Sequence, residues 1–316
     1  MNEPIAIVGA GLSGLLLARE LAAAGHEVIV LEKSRGVGGR LATKRAGAAV
    51  FDQGAQFFTA RAAPFAALVA AWQVQGVVAA WPGAPAPRLV GQPSMNALGK
   101  ALAATLPVRR ECRVLSANPT AGVWTLQVEN QPPVRARALA LTAPVPQSLA
   151  LLDAGGVVLP PALRTQLEAL TYHPCLALLL TLDGPSAVPA EGVAPEHGPV
   201  RWLADNTKKG ISPGVPAAVT VHLNPAFSAT HYNTPEEELL RLVLPGITAW
   251  LGAAVTGAVL HRWKFSEPVA THPDPCVWLP ALGLGFAGDA FGGPRVEGAA
   301  LSGLALAAKF RGTPAA

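Results

Sequence analysis

The chain has 316 residues, of which 51% are hydrophobic and 14% charged, and this balance excludes disorder for most of its length. The formal net charge of +4 comes without a dense stripe of Lys or Arg, so we expect no nucleic-acid partner. The three cysteines lack the spacing of a metal site or a redox motif and are expected to be reduced and buried. No apolar run approaches the ~18 residues of a membrane helix, and no basic leader opens the chain, which predicts a cytoplasmic protein without a membrane partner.

The first predicted unit is a strand, a glycine-rich turn, a helix and a second strand. Residues 4–8 are apolar and rich in β-branched side chains, as in a buried parallel strand. The turn covers residues 9–14, the helix residues 15–24, and the second strand residues 26–31, directly before Glu32. This order of elements is typical of a dinucleotide-binding fold.

The residues of this turn suit a pyrophosphate. Gly9 allows the tight turn, Gly11 lets the backbone approach the phosphates, and Gly14 lets the helix pack against the strand. Ser13 lies in the same turn, and the N-terminus of the helix offers free N–H groups to an anion. Glu32 is placed to accept hydrogen bonds from ribose hydroxyls and disfavours a 2′-phosphate, so NADP is not expected. The alternative is a glycine-rich turn without a ligand.

A second glycine cluster follows the acid and favours FAD over NAD. It includes Lys33, Gly39 and Arg40. Flavoproteins of the amine-oxidase class carry such a cluster, because the FAD runs past this loop and a glycine pair with an arginine can hold its phosphates. The alternative is a solvated basic turn.

The end of the chain supplies an independent indication of FAD. Residues 284–290 predict a short strand that ends in Gly288 and Asp289, and residues 294–308 predict a helix. In FAD enzymes an acid after such a strand holds the ribityl or phosphate region. The N-terminus of the helix then points at the pyrimidine ring of the flavin. The helix start contributes the further candidates Arg295, Val296, Glu297 and Ala299.

With these motifs, the chain resembles the renalase-like branch of the FAD-dependent amine-oxidase superfamily, above all its bacterial members, over nearly its whole length. The matching segments are residues 33–40, 52–61, Met95, residues 261–263, Gly288-Asp289 and residues 295–299. The resemblance implies a p-hydroxybenzoate-hydroxylase-type α/β fold, with a Rossmann-type FAD-binding domain and a second α+β substrate domain built on an antiparallel sheet. It also implies that the flavin N5 accepts hydride from aberrant dihydronicotinamide dinucleotides, and that O2 reoxidises the flavin to give H2O2.

The FAD-binding domain is expected to be discontinuous, because its parts lie at both ends of the chain. We assign residues 1–62, 95–150 and 276–316 to it, and residues 63–94 and 151–275 to the substrate domain. Further elements complete this prediction: a helix over 64–74, a proline-rich loop over 80–93, strands over 113–117, 123–128, 138–142, 175–182 and 217–223, and a helix over 236–250 kinked at Pro245.

The substrate side of the flavin should be aromatic and apolar with a few orienting polar groups. Gln56 and Phe57 follow the turn that lies near the isoalloxazine in this superfamily, and Val114 is a candidate backbone contact for the adenine side. On the antiparallel sheet and its loops, the candidate contacts to the substrate are Asn206, His222, Trp263, Trp202, His261 and Arg262. For each histidine the alternative is a structural hydrogen bond, and for the phenylalanine it is the core.

Two other functions stay open at this point. A flavin amine oxidase or desaturase would act on another small molecule, and Lys264 is a weak candidate for the lysine of amine oxidases. A flavin-free binding factor is disfavoured by the intact phosphate and ribose residues. No spacing of metal ligands or of a Ser-His-Asp triad is evident, so we expect neither a metal nor a nucleophile, and no protein partner.

Overall fold

A computed structural model describes residues 3–84 and 87–312 of the chain. Its helices are α1 Leu12–Ala23, α2 Ala63–Val74, α3 Asn96–Ala103, α4 Val145–Ala154, α5 Pro161–Glu168, α6 Pro225–Thr230, α7 Glu236–Leu251 and α8 Arg295–Arg311, with short 3-10 turns at Gly39–Leu41 and Pro280–Leu282. The first ten strands are β1 Ile5–Val8, β2 Val28–Leu31, β3 Thr43–Ala46, β4 Ala49–Asp52, β5 Val78–Ala80, β6 Leu89–Gly91, β7 Val108–Arg109, β8 Val114–Thr120, β9 Val123–Val128 and β10 Gln131–Ala136. The remaining strands are β11 Ala138–Leu141, β12 Tyr172–Leu182, β13 Val200–Asp205, β14 Ala217–Leu223, β15 Val255–Pro268, β16 Val277–Leu279 and β17 Leu284–Phe286.

A six-stranded sheet joins the two ends of the chain. Its order is β16-β17-β11-β1-β2-β7, and all neighbours are parallel except β16 and β17. The register pairs Ile5 of β1 with Ala138 of β11 and with Val28 of β2. β17, from near the end of the chain, therefore lies only two strands away from β1.

Both faces of this sheet are buried, and alternate residues of each strand divide between two cores. Ile5 and Ile7 face the core shared with α1, α3 and α8, whereas Ala6 and Val8 face the core shared with α4. The second core also contains the inner residues of a three-stranded antiparallel sheet, β8 to β10. Burial on both sides explains why β1, β2 and β11 are continuous apolar runs.

A separate four-stranded antiparallel sheet has the order β13-β14-β12-β15, and we call it the roof sheet. The leucines of β12 at 176, 178, 180 and 182 face α7, whose buried residues Leu239, Val243, Ile247 and Leu251 recur every four positions. The opposite face packs Leu179 against Phe51 of β4. The predicted antiparallel sheet is therefore present, and one of its faces packs against the β3–β4 hairpin.

The structure corrects one local prediction. The proline-rich stretch at 80–93 is not a loop throughout, because β6 within it pairs antiparallel with β5. Residues 85 and 86 of that stretch lie outside the described residues. The helix predicted over 236–250 is present from Glu236 to Leu251 with Pro245 inside it, and the kink at Pro245 stays a prediction. The assignment of the chain to two discontinuous domains stays a prediction.

None of the helices in residues 3–84 and 87–312 combines the length and the hydropathy needed to span a membrane.

Candidate active site

A long groove lies between the carboxyl ends of the parallel strands and the roof sheet. Its volume is about 2060 Å³, well above the roughly 300–1,000 Å³ of a usual small-molecule site. Its lining includes the glycine turn after β1, the loop after β2, the segment after β4, the start of α8 and the near face of the roof sheet. The groove therefore has room for a dinucleotide together with a substrate.

The glycine turn has the geometry predicted for a pyrophosphate cradle. Gly9 has φ of +109°, and a Cβ on Gly14 would collide with the carbonyl oxygen of Gly9, so neither position tolerates a side chain. A Cβ on Gly11, by contrast, would meet no protein atom within 4 Å, and Gly11 lines the groove. Helix α1 starts at Leu12 without a side-chain cap. Its first N–H groups are therefore available to an anion.

Glu32 lines the groove in a fixed orientation. Its Oε2 accepts a hydrogen bond of 2.8 Å from the backbone N–H of Ala10, and its Oε1 accepts one of 2.8 Å from that of Ser34. The side chain is 8% exposed. Each oxygen keeps a further lone pair, so the carboxylate can still accept from ribose hydroxyls.

An ion pair joins the second glycine cluster to the end of the chain. Nη1 and Nη2 of Arg40 donate to the two carboxylate oxygens of Asp289 at 2.6 and 2.7 Å, and Nη1 also donates to the carbonyl of Ser266 at 3.1 Å. Burial opposes the charge on Arg40, but the Asp289 carboxylate raises the pKa of the guanidinium above its ordinary value. Gly39 and Lys33 line the same groove. Two segments predicted separately thus meet at one place.

The start of α8 lines the same groove. Arg295 has φ of +81°, which is rare for a residue with a side chain and is the kind of backbone strain that collects at functional sites. Glu297 accepts the backbone N–H groups of Arg61 and Ala62, both at 2.7 Å, so its carboxylate is used within the protein. The other predicted contacts on the lining of the groove are Gly288, Val296, Ala299 and Val114.

The segment after β4 reaches the groove with Gln56 and Phe57. Nε2 of Gln56 donates to the carbonyl oxygens of Asp52 and Gly54. Its Oε1 is buried and accepts no hydrogen bond from the described residues. Phe57 packs against Trp202 of the roof sheet, with 5.6 Å between the ring centroids.

One row across the roof sheet faces the groove. Strand register aligns Trp202 with His222, His222 with Ala177, and Ala177 with His261. Nε2 of His222 lies 3.1 Å from the carbonyl oxygen of Gln53, and Nε1 of Trp263 donates to the same oxygen at 3.0 Å. Burial lowers the pKa of His222 to about 4, so the ring is neutral near pH 7. Because the carbonyl can only accept, Nε2 carries the proton and Nδ1 is left as an acceptor.

One predicted contact is not brought to the groove. Asn206 is fully buried beside the end of β4, where its Oδ1 accepts from the N–H of Asp52 and its Nδ2 donates to Ala218 and Thr220. Both side-chain N–H donors and the side-chain oxygen of Asn206 have partners, and these bonds join β4 to the roof sheet. Asn206 is therefore a structural residue in this fold and not a substrate contact.

Three residues of the site escaped the sequence analysis, and a fourth, Asp52, entered it only as the first residue of the segment 52–61. Lys209 and Asp52 form a fully buried ion pair of 2.9 Å behind Gln56. Arg88 and Trp81 approach Phe57 from the proline-rich stretch. Nothing in the spacing of Trp81, Arg88 or Lys209 along the sequence pointed to their place in the site.

Comparisons with known proteins agree with this architecture. Residues 7–74 match a family model described as an NAD(P)-binding Rossmann-like domain. A segment of 41 residues is 61% identical to an L-amino acid oxidase of Cerastes cerastes, covering 13% of this chain and 8% of that protein. A segment of 50 residues is 48% identical to a 4,4'-diapophytoene desaturase (4,4'-diaponeurosporene-forming) of Staphylococcus haemolyticus, covering 16% of this chain and 10% of that protein. The chain thus spans only about a tenth of the length of these curated relatives.

Solved structures resemble the chain over almost its whole length. A protein provisionally assigned as a protoporphyrinogen oxidase from Exiguobacterium sp. 255-15 has a TM-score of 0.76 at 15% identity, covering 98% of this chain and 99% of that one. A putrescine oxidase bound to putrescine has a TM-score of 0.64 at 14% identity, with the same coverage. At such identities the likeness concerns the fold, and the predicted fold class is confirmed. The prediction of FAD as the cofactor is supported.

Proposed function

Since the chain shares its fold with flavin-dependent oxidoreductases of the amine oxidase superfamily, we propose that it is a FAD-dependent oxidoreductase of the renalase-like kind. Its substrates would be dihydronicotinamide dinucleotides whose hydride is on the wrong ring carbon, and O2 would be reduced to H2O2. The observation that carries the proposal is the Arg40–Asp289 ion pair, which brings the two predicted FAD segments to one groove.

The residues present fit FAD. The open space at Gly11 and the free helix start suit the pyrophosphate, and the fixed carboxylate of Glu32 suits a ribose. Oγ of Ser13 is buried beside the groove without a hydrogen-bond partner among the described residues. The residues that would hold the cofactor are Gly9, Gly11, Ser13, Glu32, Lys33, Gly39, Arg40, Val114, Gly288, Asp289, Arg295, Val296, Glu297 and Ala299.

The chemistry divides between the cofactor and the chain. When bound, FAD supplies the hydride acceptor and the route of electrons to O2. The chain has to orient the substrate and exclude water, for which Phe57 and Trp263 offer apolar walls. Nδ1 of His222 can accept a hydrogen bond from an N–H of the substrate, such as that of a carboxamide. With a pKa of about 4 this ring serves as an orienting group and not as a strong base.

The charge of the groove favours an anionic substrate over an amine. Eleven Lys or Arg side chains line it, against four acidic ones. Two of the acids, Asp289 and Glu267, are already paired with arginines. A polyamine would meet repulsion along such a lining, whereas the phosphates of a dinucleotide would be attracted. This charge balance supports the proposal over an amine oxidase activity.

Anaerobic mixing of the purified yellow holoprotein with candidate reductants tests the proposal. We expect 2- and 6-dihydro isomers of NAD to bleach the flavin rapidly, with ordinary NADH and putrescine as slow controls. Readmission of O2 should restore the yellow colour and release one equivalent of H2O2. A flavin that stays oxidised with both isomers but bleaches with an amine would show that the alternative activity is correct.

A further inference from the structure

Three aromatic rings from distant parts of the chain meet at the substrate end of the groove. Phe57 follows β4, Trp81 follows β5, and Trp202 belongs to β13. Their ring centroids are 5.7, 5.6 and 6.2 Å apart in the pairs Phe57–Trp81, Phe57–Trp202 and Trp81–Trp202. All three contacts are tilted or edge-on, the geometry that aromatic pairs prefer. We call these three rings the aromatic trio.

The guanidinium of Arg88 lies over the trio. Its Cζ is 4.6 Å from the ring centroid of Phe57, 5.2 Å from that of Trp202 and 6.0 Å from that of Trp81. The backbone beneath it is fixed, because the N–H of Trp81 donates to the carbonyl of Arg88 at 2.8 Å. Nη1 of Arg88 donates to the carbonyl of Glu191 at 2.7 Å, which holds the plane of the group. The guanidinium is therefore oriented in advance.

Arg88 has no acidic partner among the described residues, unlike Arg40, Arg113 and Arg201 of the same groove. Arg40 is paired with Asp289 and Arg201 with Glu267, whereas no carboxylate in residues 3–84 and 87–312 lies within ion-pair distance of Arg88. Stacking on the aromatic faces stabilises the cation without using its N–H donors. Only one of the five donors has a partner among the described residues. A half-buried, oriented and unpaired guanidinium is suited to bind an oxyanion with two parallel hydrogen bonds.

We propose that Arg88 and the aromatic trio form an anion subsite, which binds a carboxylate or phosphate of a substrate whose adjoining part is flat and apolar. The subsite deepens the proposed function, because its occupant would be the substrate of that reaction. Phe57 and Trp202, the two rings of the trio that line the groove, supply the wall for the flat part, Trp81 supports them from behind, and the guanidinium supplies the charge. An amine would not pair with the guanidinium, and an uncharged ring would contact only the aromatic wall.

Calorimetric titration of the holoprotein with small probes tests the subsite without turnover. The probes are benzoate, phenyl phosphate and the uncharged benzamide. Arg88→Met keeps the length of the side chain and removes the charge, and we expect it to weaken the binding of the preferred anion by about tenfold or more. The weak binding of benzamide should not change. Tighter binding of benzoate than of phenyl phosphate would identify the group as a carboxylate, and the reverse order would identify a phosphate.

Two further variants keep the test decisive. Arg88→Lys retains the charge but lacks the paired N–H donors of the guanidinium, and it should recover part of the anion affinity that Arg88→Met loses. Such a recovery would show that Arg88→Met loses affinity because the charge is absent and not because the protein is misfolded. Arg241→Met removes an exposed arginine outside the groove and should leave the binding of both anions unchanged. Equal anion affinities of the wild type and Arg88→Met, or no anion binding by the wild type, would overturn the subsite. The two proposals can also fail separately. If Arg88→Met loses anion binding but no dihydronicotinamide bleaches the flavin of the wild type, the subsite is upheld and the proposed substrate is rejected.

Discussion

At the scale of single residues, hydrogen bonds within the protein hold the polar side chains of the groove in fixed orientations. Both oxygens of Glu32 are held by backbone N–H groups, and His222 has one tautomer fixed by the carbonyl of Gln53. Groups that are already oriented lose little conformational entropy on binding, so their hydrogen bonds contribute more to affinity. The absence of a side chain at Gly11 has a similar effect, because it leaves space in which the backbone can approach a phosphate.

Substitution at Gly11 should separate cofactor binding from folding. Because a Cβ there meets no protein atom within 4 Å, Gly11→Val should leave the unfolding temperature of the apoprotein nearly unchanged. The side chain would instead occupy the space of the pyrophosphate, and the purified variant should contain no flavin by absorbance. Gly14→Ala is the contrast, since its Cβ would collide with the Gly9 carbonyl and should reduce stability as well. Full flavin content in Gly11→Val would place the pyrophosphate elsewhere.

The pKa of His222 predicts a loss of stability in mild acid. Burial lowers it to about 4, against about 6.5 in an unfolded chain. Between these two values the unfolded state binds more protons, so the free energy of unfolding falls as the pH falls from 6.5 toward 4. The full shift corresponds to roughly 3 kcal/mol, and partial exposure of the ring reduces this to about 1–2 kcal/mol.

Urea unfolding of the holoprotein at pH 7 and pH 4.5 measures this contribution. His222→Gln can still donate to the Gln53 carbonyl but does not titrate, so its stability should depend less on pH over this interval. His197 is exposed, and His197→Gln should show the same pH dependence as the wild type. An identical profile for His222→Gln and the wild type would contradict the assignment.

At the scale of secondary-structure elements, the roof sheet is fastened to β4 by buried polar groups. Lys209 follows β13 and donates both to Asp52, at the end of β4, and to the carbonyl of Gln56. Both charged side chains are fully buried, and Asp52 also accepts from Thr43 and from the N–H of Met95. This cluster fixes the segment that carries Gln56 and Phe57 beneath the roof sheet.

Removal of one member of the buried pair should be strongly destabilising. Lys209→Met leaves the Asp52 carboxylate buried without its cation, and we expect the free energy of unfolding to fall by about 3–5 kcal/mol. The double variant Asp52→Asn/Lys209→Met buries no charge and should lose less. Arg135→Met breaks the exposed Arg135–Glu3 pair and should cost less than about 1 kcal/mol. Chemical denaturation distinguishes these outcomes, and a single variant as stable as Arg135→Met would refute the role of the pair.

At the scale of the whole molecule, the two ends of the chain depend on each other around the groove. The Arg40–Asp289 pair spans 249 positions in sequence and links the loop after β2 to the turn after β17. Helix α8 packs in the same core as α1, so the elements that would contact opposite parts of FAD share one support.

A double-mutant cycle on this pair measures the coupling between the ends. Arg40→Met and Asp289→Asn should each weaken FAD retention, and the two effects should be non-additive, with a coupling of about 0.5–3 kcal/mol. The dissociation constant of FAD, from fluorescence titration of the apoprotein, is the measurement. Arg164→Met breaks an ion-pair cluster between α4 and α5 outside the groove and should leave that constant unchanged. Strictly additive effects would show that the two ends bind the cofactor independently.

The sequence by itself determined the first unit of the fold and its ligand class. Strand β1, the glycine turn, α1, β2 and Glu32 are contiguous, and their conformation follows from local chemistry: φ angles that only glycine adopts, an apolar run and a helix start. The Gly288-Asp289 motif could be recognised in the sequence for the same reason.

The tertiary structure alone decided the substrate side of the groove. Phe57, Trp81, Arg88 and Trp202 come from segments whose spacing in sequence does not encode their meeting. Side chains on a strand alternate between two faces, so a register shift of one position moves a side chain from the face toward the groove to the face toward the core. For this reason the buried position of the Asn206 side chain could not be predicted from the sequence. Register and packing between distant segments depend on long-range contacts, and these exist only once the chain has folded.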